Sequence, residues 1–292
     1  MPVAIYGFLL FPDTPHTTTA PYLSTAERQL AIARVPPTET KRAPLTFSFV
    51  KKLFRSWYTY GFIILWIIAG ETESFSSNSL LALYMKSHPS GPKTYTISQL
   101  NNYPTGVPAV GIVSTLFWAT LTDFLSGKRY LVGYFIGITG VCTSAMILAM
   151  HHSADPASDH STAVVFGAYY WAGAVYACQA TFFAWANDAM RFEEEMLRAV
   201  VLAGMNLGSN AVNAWWSILF YGAKMAPWFE RGMWAMIACS IALALWTTVL
   251  LLGDRRAEKK RRAQAVDSGF TGRFADDVES HEKRDSTQSP RN

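Results

Sequence analysis

Charge is scarce in this 292-residue chain. Asp, Glu, Lys and Arg make up 16% of it, against about 25% in an ordinary soluble domain, while half of the residues are hydrophobic and 14% are aromatic. That balance excludes an ordinary soluble globule and makes the lipid bilayer the expected solvent. Cysteine is scarcer still. Cys142, Cys178 and Cys239 all fall within apolar runs, which excludes a disulfide framework or a spaced zinc site and leaves them as small buried apolar residues. No HExxH, phosphate-loop or Ser/His/Asp pattern occurs, so a membrane enzyme is the weakest of the readings and no cofactor or metal is expected. A net charge of +4 marks no nucleic-acid partner.

What is present is apolar and clustered. Runs can be read at 57–85, 103–122, 130–150, 162–187, 199–222 and 233–253, each long enough to cross a hydrocarbon layer of about 30 Å at about 1.5 Å per residue. The expected fold is an all-α integral membrane bundle of six spans. A shorter apolar run, Val3 to Phe11, lacks the basic start and small-residue cleavage site of a signal peptide. Residues 1–11 read instead as the remnant of a preceding membrane helix. Residues 12–56 are a polar linker with Pro36, Pro37 and Pro44, in which Ser24 and Glu27 form a capping box opening a short helix. Beyond Asp254 a basic cluster (Arg255, Arg256, Lys259 to Arg262) gives way to a mixed-charge, Ser-rich tail, expected to be disordered to residue 292.

Orientation follows from the bases. With 12–56 placed inside, the inner segments hold 17 Lys and Arg and the outer ones 4, as the positive-inside rule requires. Both ends are then cytoplasmic, and the plasma membrane is the expected location. His151, His152 and His160 share an outer loop with Asp155 and Asp159, but their irregular spacing reads as a solvated loop rather than a metal site.

Five of the six runs carry no charge in their cores; the first holds Glu71 and Glu73, followed by Asn78. Acids at that depth are expensive against lipid and are expected to face a protein-lined aqueous cavity. Glu71 lies about 21 Å along the helix from Trp57 at about 1.5 Å per residue, still within the hydrocarbon. The two acids are about 200° apart on an ideal helix, so both can share a cavity only if the backbone unwinds near Gly70. One is expected to work and the other to support it. A carboxyl sheltered from water is suited to bind a proton on one side of the membrane and release it on the other.

Polar stripes mark other helices. Asn206, Asn210, Asn213 and Ser217 recur at helical spacing on one face of the fifth run, opposite Gly204 and Gly208. Three amides on one face exceed what helix-to-helix bonding requires, so cavity lining is the preferred reading over glue. In the fourth run Tyr169, Tyr176, Gln179 and Phe183 share a face; Gln179 is the member expected to meet substrate, and the aromatics to pack. Gly133-x3-Gly137 with Gly140, and Gly204-x3-Gly208, are expected packing faces. Asp188, Arg191 and Arg198 belong to a charged turn that can act as a cytoplasmic latch.

Several short strings carry a family likeness. Phe11-Pro12-Asp13-Thr14-Pro15, Leu23-Ser24-Thr25-Ala26-Glu27-Arg28 and Asn102-Tyr103-Pro104-Thr105 resemble the fungal anion:cation symporter (allantoate permease) family of the major facilitator superfamily. Trp185-Ala186-Asn187, Asn213-Ala214-Trp215 and Ala226-Pro227-Trp228-Phe229 with Gly232 are most similar to its pantothenate transporters. The likeness covers about residues 5–255 and implies the C-terminal half of a twelve-helix major facilitator fold. It also implies that Asp123, Gly127, Lys128 and Arg129 form the gating loop of that half. Here Ala119 stands where the family pattern has Gly, and acid and bases are one residue further apart.

The resemblance implies secondary active transport of a small organic anion, proton-coupled pantothenate uptake first. Allantoate, nicotinate or biotin are alternative anions, and a non-transporting membrane receptor or regulatory half-protein is the alternative class. A missing N-terminal half, or a second chain, would supply the opposite wall. No Lys or Arg sits in the middle of any span, so charge for the anion is expected from that other half, from a helix N-terminus or from a proton on Glu71 or Glu73.

Overall fold

The computed structural model describes residues 2–11, 14, 17, 18, 20–34, 46–77, 80–87, 95–125, 127–191 and 193–267. Among these residues the regular structure is entirely helical. The chain divides into two units, Met1–Thr46 and Phe47–Asn292.

The first unit holds α1 (Pro2–Leu10) and α2 (Thr25–Arg34). Tyr22 donates its hydroxyl to the Leu10 carbonyl. The capping box at α2 is formed: Glu27 N–H donates to Ser24 Oγ at 3.3 Å and Ser24 N–H donates to Glu27 Oε2 at 2.9 Å. Two of the orphan donors of the first turn are thereby satisfied.

The second unit opens with α3 (Phe47–Arg55), which meets α4 (Trp57–Ser77) at a bend of 62°. There follow α5 (Leu80–Lys86), α6 (Ile97–Asn102), a 3-10 turn at Tyr103–Thr105, α7 (Gly106–Phe124), α8 (Tyr130–His151) and α9 (Asp159–Ala172). A second 3-10 turn, Gly173–Tyr176, leads into α10 (Ala177–Ala189), then α11 (Glu195–Phe220) and α12 (Glu230–Asp267). By length and apolarity three helices can cross a membrane, within Ile97–Phe124, Tyr130–His151 and Glu230–Lys260, with a fourth if the bent α3–α4 pair is one span.

The run 57–85 holds α4 and α5, with 78 and 79 outside the described residues. Two expectations need correction. The run 162–187 is interrupted by the second 3-10 turn, because Gly173 is pressed against α7: a β-carbon there would lie 2.2 Å from the Val107 carbonyl oxygen. Ser114 of α7 donates to the Ala174 carbonyl at 2.9 Å in the same turn. Residues 254–267 are helical, not disordered, since α12 continues through the basic cluster while Ala257 packs on the apolar core.

Small residues set the helix contacts, as their spacing implied. Gly133, Gly137 and Gly140 of α8 lie against Thr247, Ala244 and Ser240 of α12. Gly204 and Gly208 of α11 lie against Ile63 and Ile67 of α4, and Gly70 of α4 meets Ser209 of α11 so closely that a β-carbon would sit 2.0 Å from its hydroxyl. Such approach lets backbones pack without a hydrophobic driving force. Trp246 of α12 also donates to the Gly61 carbonyl at 2.9 Å.

Two apolar clusters fill the bundle. One contains Phe62, Leu65, Val132, Ile136, Met205 and Leu243, and the other Leu80, Tyr84, Ile147, Tyr221, Met233 and Met236. Along α4, α8, α11 and α12 the residues between the clusters include a set of buried polar ones: Glu71, Thr72, Glu73 and Ser74, Thr139, Thr143 and Ser144, Ser209, and Ser240. A polar layer therefore crosses the bundle at mid-depth. The outer faces are apolar, with Ile112, Val113, Leu116 and Phe117 of α7 and Ile241, Leu245 and Leu252 of α12 exposed, as a lipid-facing surface requires.

Candidate functional site

The acid pair lies in the polar layer, and α4 stays helical through Gly70. The unwinding that would let both acids share one cavity does not occur, and the Gly70 backbone is held against Ser209 of α11. With the helix intact, residues 71 and 73 point to different neighbours. Glu73 turns to α10, where its Oε2 accepts a hydrogen bond from Gln179 Nε2 at 2.8 Å and its Oε1 accepts one from Cys178 Sγ at 2.9 Å. Glu71 lies on a different face of α4. It is 3% exposed.

Neither Glu71 oxygen has a hydrogen-bond partner among the described residues. The hydroxyls of Thr139, Ser144 and Ser240, in the same layer, are likewise unpartnered. Buried carboxylates are costly without a counter-charge or donors. One acid of the pair is thus fully engaged and the other is open to a proton or a donor from elsewhere.

Gln179, singled out in the sequence, is brought to Glu73. Cys178, which by its apolar setting reads as a packing residue, is a second donor to Glu73; its adjacency to Gln179 is the sequence signal for that role. The aromatics pack as expected: Phe183 meets Trp66 edge-on at 4.8 Å, and Tyr169 is buried in the second cluster. Asn78 lies outside the described residues.

The amide stripe stands on the accessible side of α11. Asn206 and Asn210 are exposed and Asn213 is half-buried. Their bonds run along the helix: Asn210 Nδ2 donates to the Asn206 carbonyl at 2.8 Å, and Ser217 Oγ donates to Asn213 Oδ1 at 2.8 Å. Spare donors and acceptors therefore face outward on a helix whose opposite side packs on α4.

At the end of the bundle where α4 starts, two clusters that are far apart in the chain become one. Arg129 Nη2 pairs with Asp188 Oδ2 at 2.9 Å and with Asp123 Oδ1 at 3.4 Å, so the residues expected to form a gating loop and those expected to form a latch share one cation. Gly127, at φ +80°, makes the turn that presents Arg129, a conformation that L side chains avoid. Lys128 is exposed, as is Arg191, and Arg198 is half-buried in the first turn of α11. Lys52 of α3 pairs with Glu194 at 2.7 Å. At the opposite end His151 stacks on Trp228 at 5.2 Å, and Asp155 accepts from the Ala157 N–H at 3.2 Å within its own turn.

A helical bundle with lipid-compatible outer faces and acids sunk in an internal polar layer defines a multi-pass integral membrane protein. The chain is similar to pantothenate transporter FEN2 of Saccharomyces cerevisiae, 37% identical over 258 residues, which is 86% of this chain and 48% of that protein. It is 38% identical to pantothenate transporter liz1 of Schizosaccharomyces pombe over 80% of this chain and 43% of the relative. It is 31% identical to the MFS transporter PfmaC of Pestalotiopsis fici over 90% of this chain and 48% of the relative. The chain is thus a homologue of fungal major facilitator transporters, and its fold is one half of theirs. It spans about half the length of the curated relatives it matches. No protein-family model and no solved structure matches it.

Proposed function

We propose that the chain forms one wall of a proton-coupled carrier for a small organic anion of the pantothenate class. The observation that carries this reading is the division of labour on α4: Glu73 is held by Gln179 and Cys178, whereas Glu71 is buried without a partner. Glu71 is the proton carrier and Glu73 with Gln179 forms the cavity rim. Asn206, Asn210 and Asn213 offer amide donors and acceptors to the hydroxyl and amide groups of the substrate. Half-length similarity to two pantothenate transporters supports the choice of anion.

A second half, in the same polypeptide or in another, supplies the opposite wall and the cation that the anion needs. Arg129, shared by Asp123 and Asp188, latches one of the two access states at the cytoplasmic end. The excess of bases on one side supports cytoplasmic termini in the plasma membrane. Transport, not catalysis, is the activity.

Uptake of labelled pantothenate, measured in fungal cells that lack their own carrier and express the gene product carrying this chain, tests the reading. Glu71→Gln should keep uptake but remove its pH dependence, and Gln179→Ala should raise KM. Uptake that stays pH-dependent in both Glu71→Gln and Glu73→Gln defeats the proton coupling. Saturable binding without accumulation would identify a receptor instead.

A further inference from the structure

We propose that α3 is an interfacial helix whose basic face holds an anionic phospholipid headgroup in an open groove of about 520 Å³ beside the start of α4. The inference concerns the membrane surface and does not depend on what is carried. It begins from position: one residue, Ser56, separates α3 from the membrane-entering α4, and the 62° bend between them turns α3 out of the direction of the span. A helix so placed is kept at the level of the headgroups.

The sequence of α3 divides into three sectors at about 100° per residue. Phe49 and Leu53 pack on the core. Phe47, Val50 and Phe54 occupy a second sector and are 83%, 39% and 63% exposed. Lys51, Lys52 and Arg55 fill the third. An apolar face beside a basic one on a helix parallel to a membrane is the pattern of an interfacial helix, which buries its apolar residues about 5–10 Å into the headgroup–acyl boundary.

The basic sector does not neutralise itself. Lys52 is paired with Glu194, but Lys51 and Arg55 form no ion pair among the described residues. Both line the groove together with Ser48, Trp57 and Glu193. Two cations without an ion pair among the described residues, beside a hydroxyl and an indole at the level of the headgroups, complement a lipid phosphodiester that carries a further negative group. Trp57 itself sits against Gly253 of α12, which fixes the depth of the groove relative to the bundle. A tryptophan at a span terminus marks the interface.

The test is native mass spectrometry of the full chain released from nanodiscs of equimolar phosphatidylcholine and phosphatidylserine. The chain should retain phosphatidylserine preferentially. The double substitution Lys51→Gln with Arg55→Gln should reduce that preference about 25-fold, because each base near an anionic surface is worth about 1 kcal/mol, or about fivefold. The charge-keeping pair Lys51→Arg with Arg55→Lys should preserve it, as should Lys86→Gln on α5. If the double variant does not fold, Lys51→Gln alone should show the fivefold loss. No preference in the native chain, or an undiminished one in the neutral variants, overturns the proposal. So does release of the bound lipid by excess inorganic phosphate, which would mark a site for soluble anions.

Discussion

Gln179 of α10 donates a hydrogen bond to Glu73 of α4 at 2.8 Å, tying together two helices whose contacting residues are otherwise largely apolar. Removing the donor should be felt directly. Gln179→Ala is expected to cost about 1.5–3 kcal/mol, the range for a bond to a charged group, and Gln179→Glu more, since two carboxylates would then face each other. Thermal unfolding of the detergent-solubilised chain, followed by tryptophan fluorescence, measures both.

Glu71 should behave in the opposite way. Its oxygens have no partner to lose, so the isosteric Glu71→Gln is expected to be neutral or to stabilise by about 1 kcal/mol, whereas Glu73→Gln turns one acceptor into a donor facing Cys178 or Gln179 and costs about 1–3 kcal/mol. The same unfolding assay should rank them in that order; equal losses would contradict the assignment of one paired and one unpaired acid.

Backbone approach makes Gly173 sensitive. Its neighbour is the Val107 carbonyl rather than the tip of a flexible side chain, so Gly173→Ala is expected to cost about 1–3 kcal/mol or to block folding. Gly127→Ala, where nothing lies within 4 Å and φ is +80°, carries only the cost of a left-handed backbone, about 1–2 kcal/mol. Yield of monodisperse protein by size exclusion separates the two outcomes.

Of the two carboxylates on Arg129, Asp188 is closer and less exposed than Asp123, with side-chain exposures of 54% and 71%. Asp188→Asn should cost up to about 1 kcal/mol and Asp123→Asn less, because exposed ion pairs are worth little. Raising salt should shrink the difference between wild type and Asp188→Asn.

Acid should weaken the capped start of α2. The Ser24 hydroxyl, and then its N–H, bond the Glu27 carboxylate and hold it below the ordinary value of 4.5. A group lowered in this way contributes stability above its unfolded value and loses it as pH falls through its folded one. NMR titration of Glu27 should therefore give a midpoint below 4.5, and Ser24→Ala should return it upward.

The sequence was legible where one physical rule acted alone. Apolar runs overlap the helices, and small residues at i and i+4 mark the packing faces of α8 and α11, because close packing in lipid needs room and little else. The acid pair stood out for the same reason: charge in a span is rare. Gln179 was reachable as the polar member of an aromatic face.

Other features depend on parts of the chain that local pattern does not connect. Whether α4 unwinds at Gly70 is decided by Ser209, well over a hundred residues away. The sharing of Arg129 by Asp123 and Asp188 needs the ends of α7 and α10 to be neighbours. The break at Gly173–Tyr176 follows from contact with Val107, and the helical course of 254–267 from Ala257 reaching the core, neither of which composition reveals.

Interlocking of Ile63, Ile67 and Gly70 with Gly204, Gly208 and Ser209 leaves no slack for one of these helices to slide along the other. On the proposed carrier reading, the rearrangement that alternately uncovers the two sides of the membrane would swing α4 and α11 as a single plate. The acids on one and the amides on the other would keep their mutual spacing throughout the cycle.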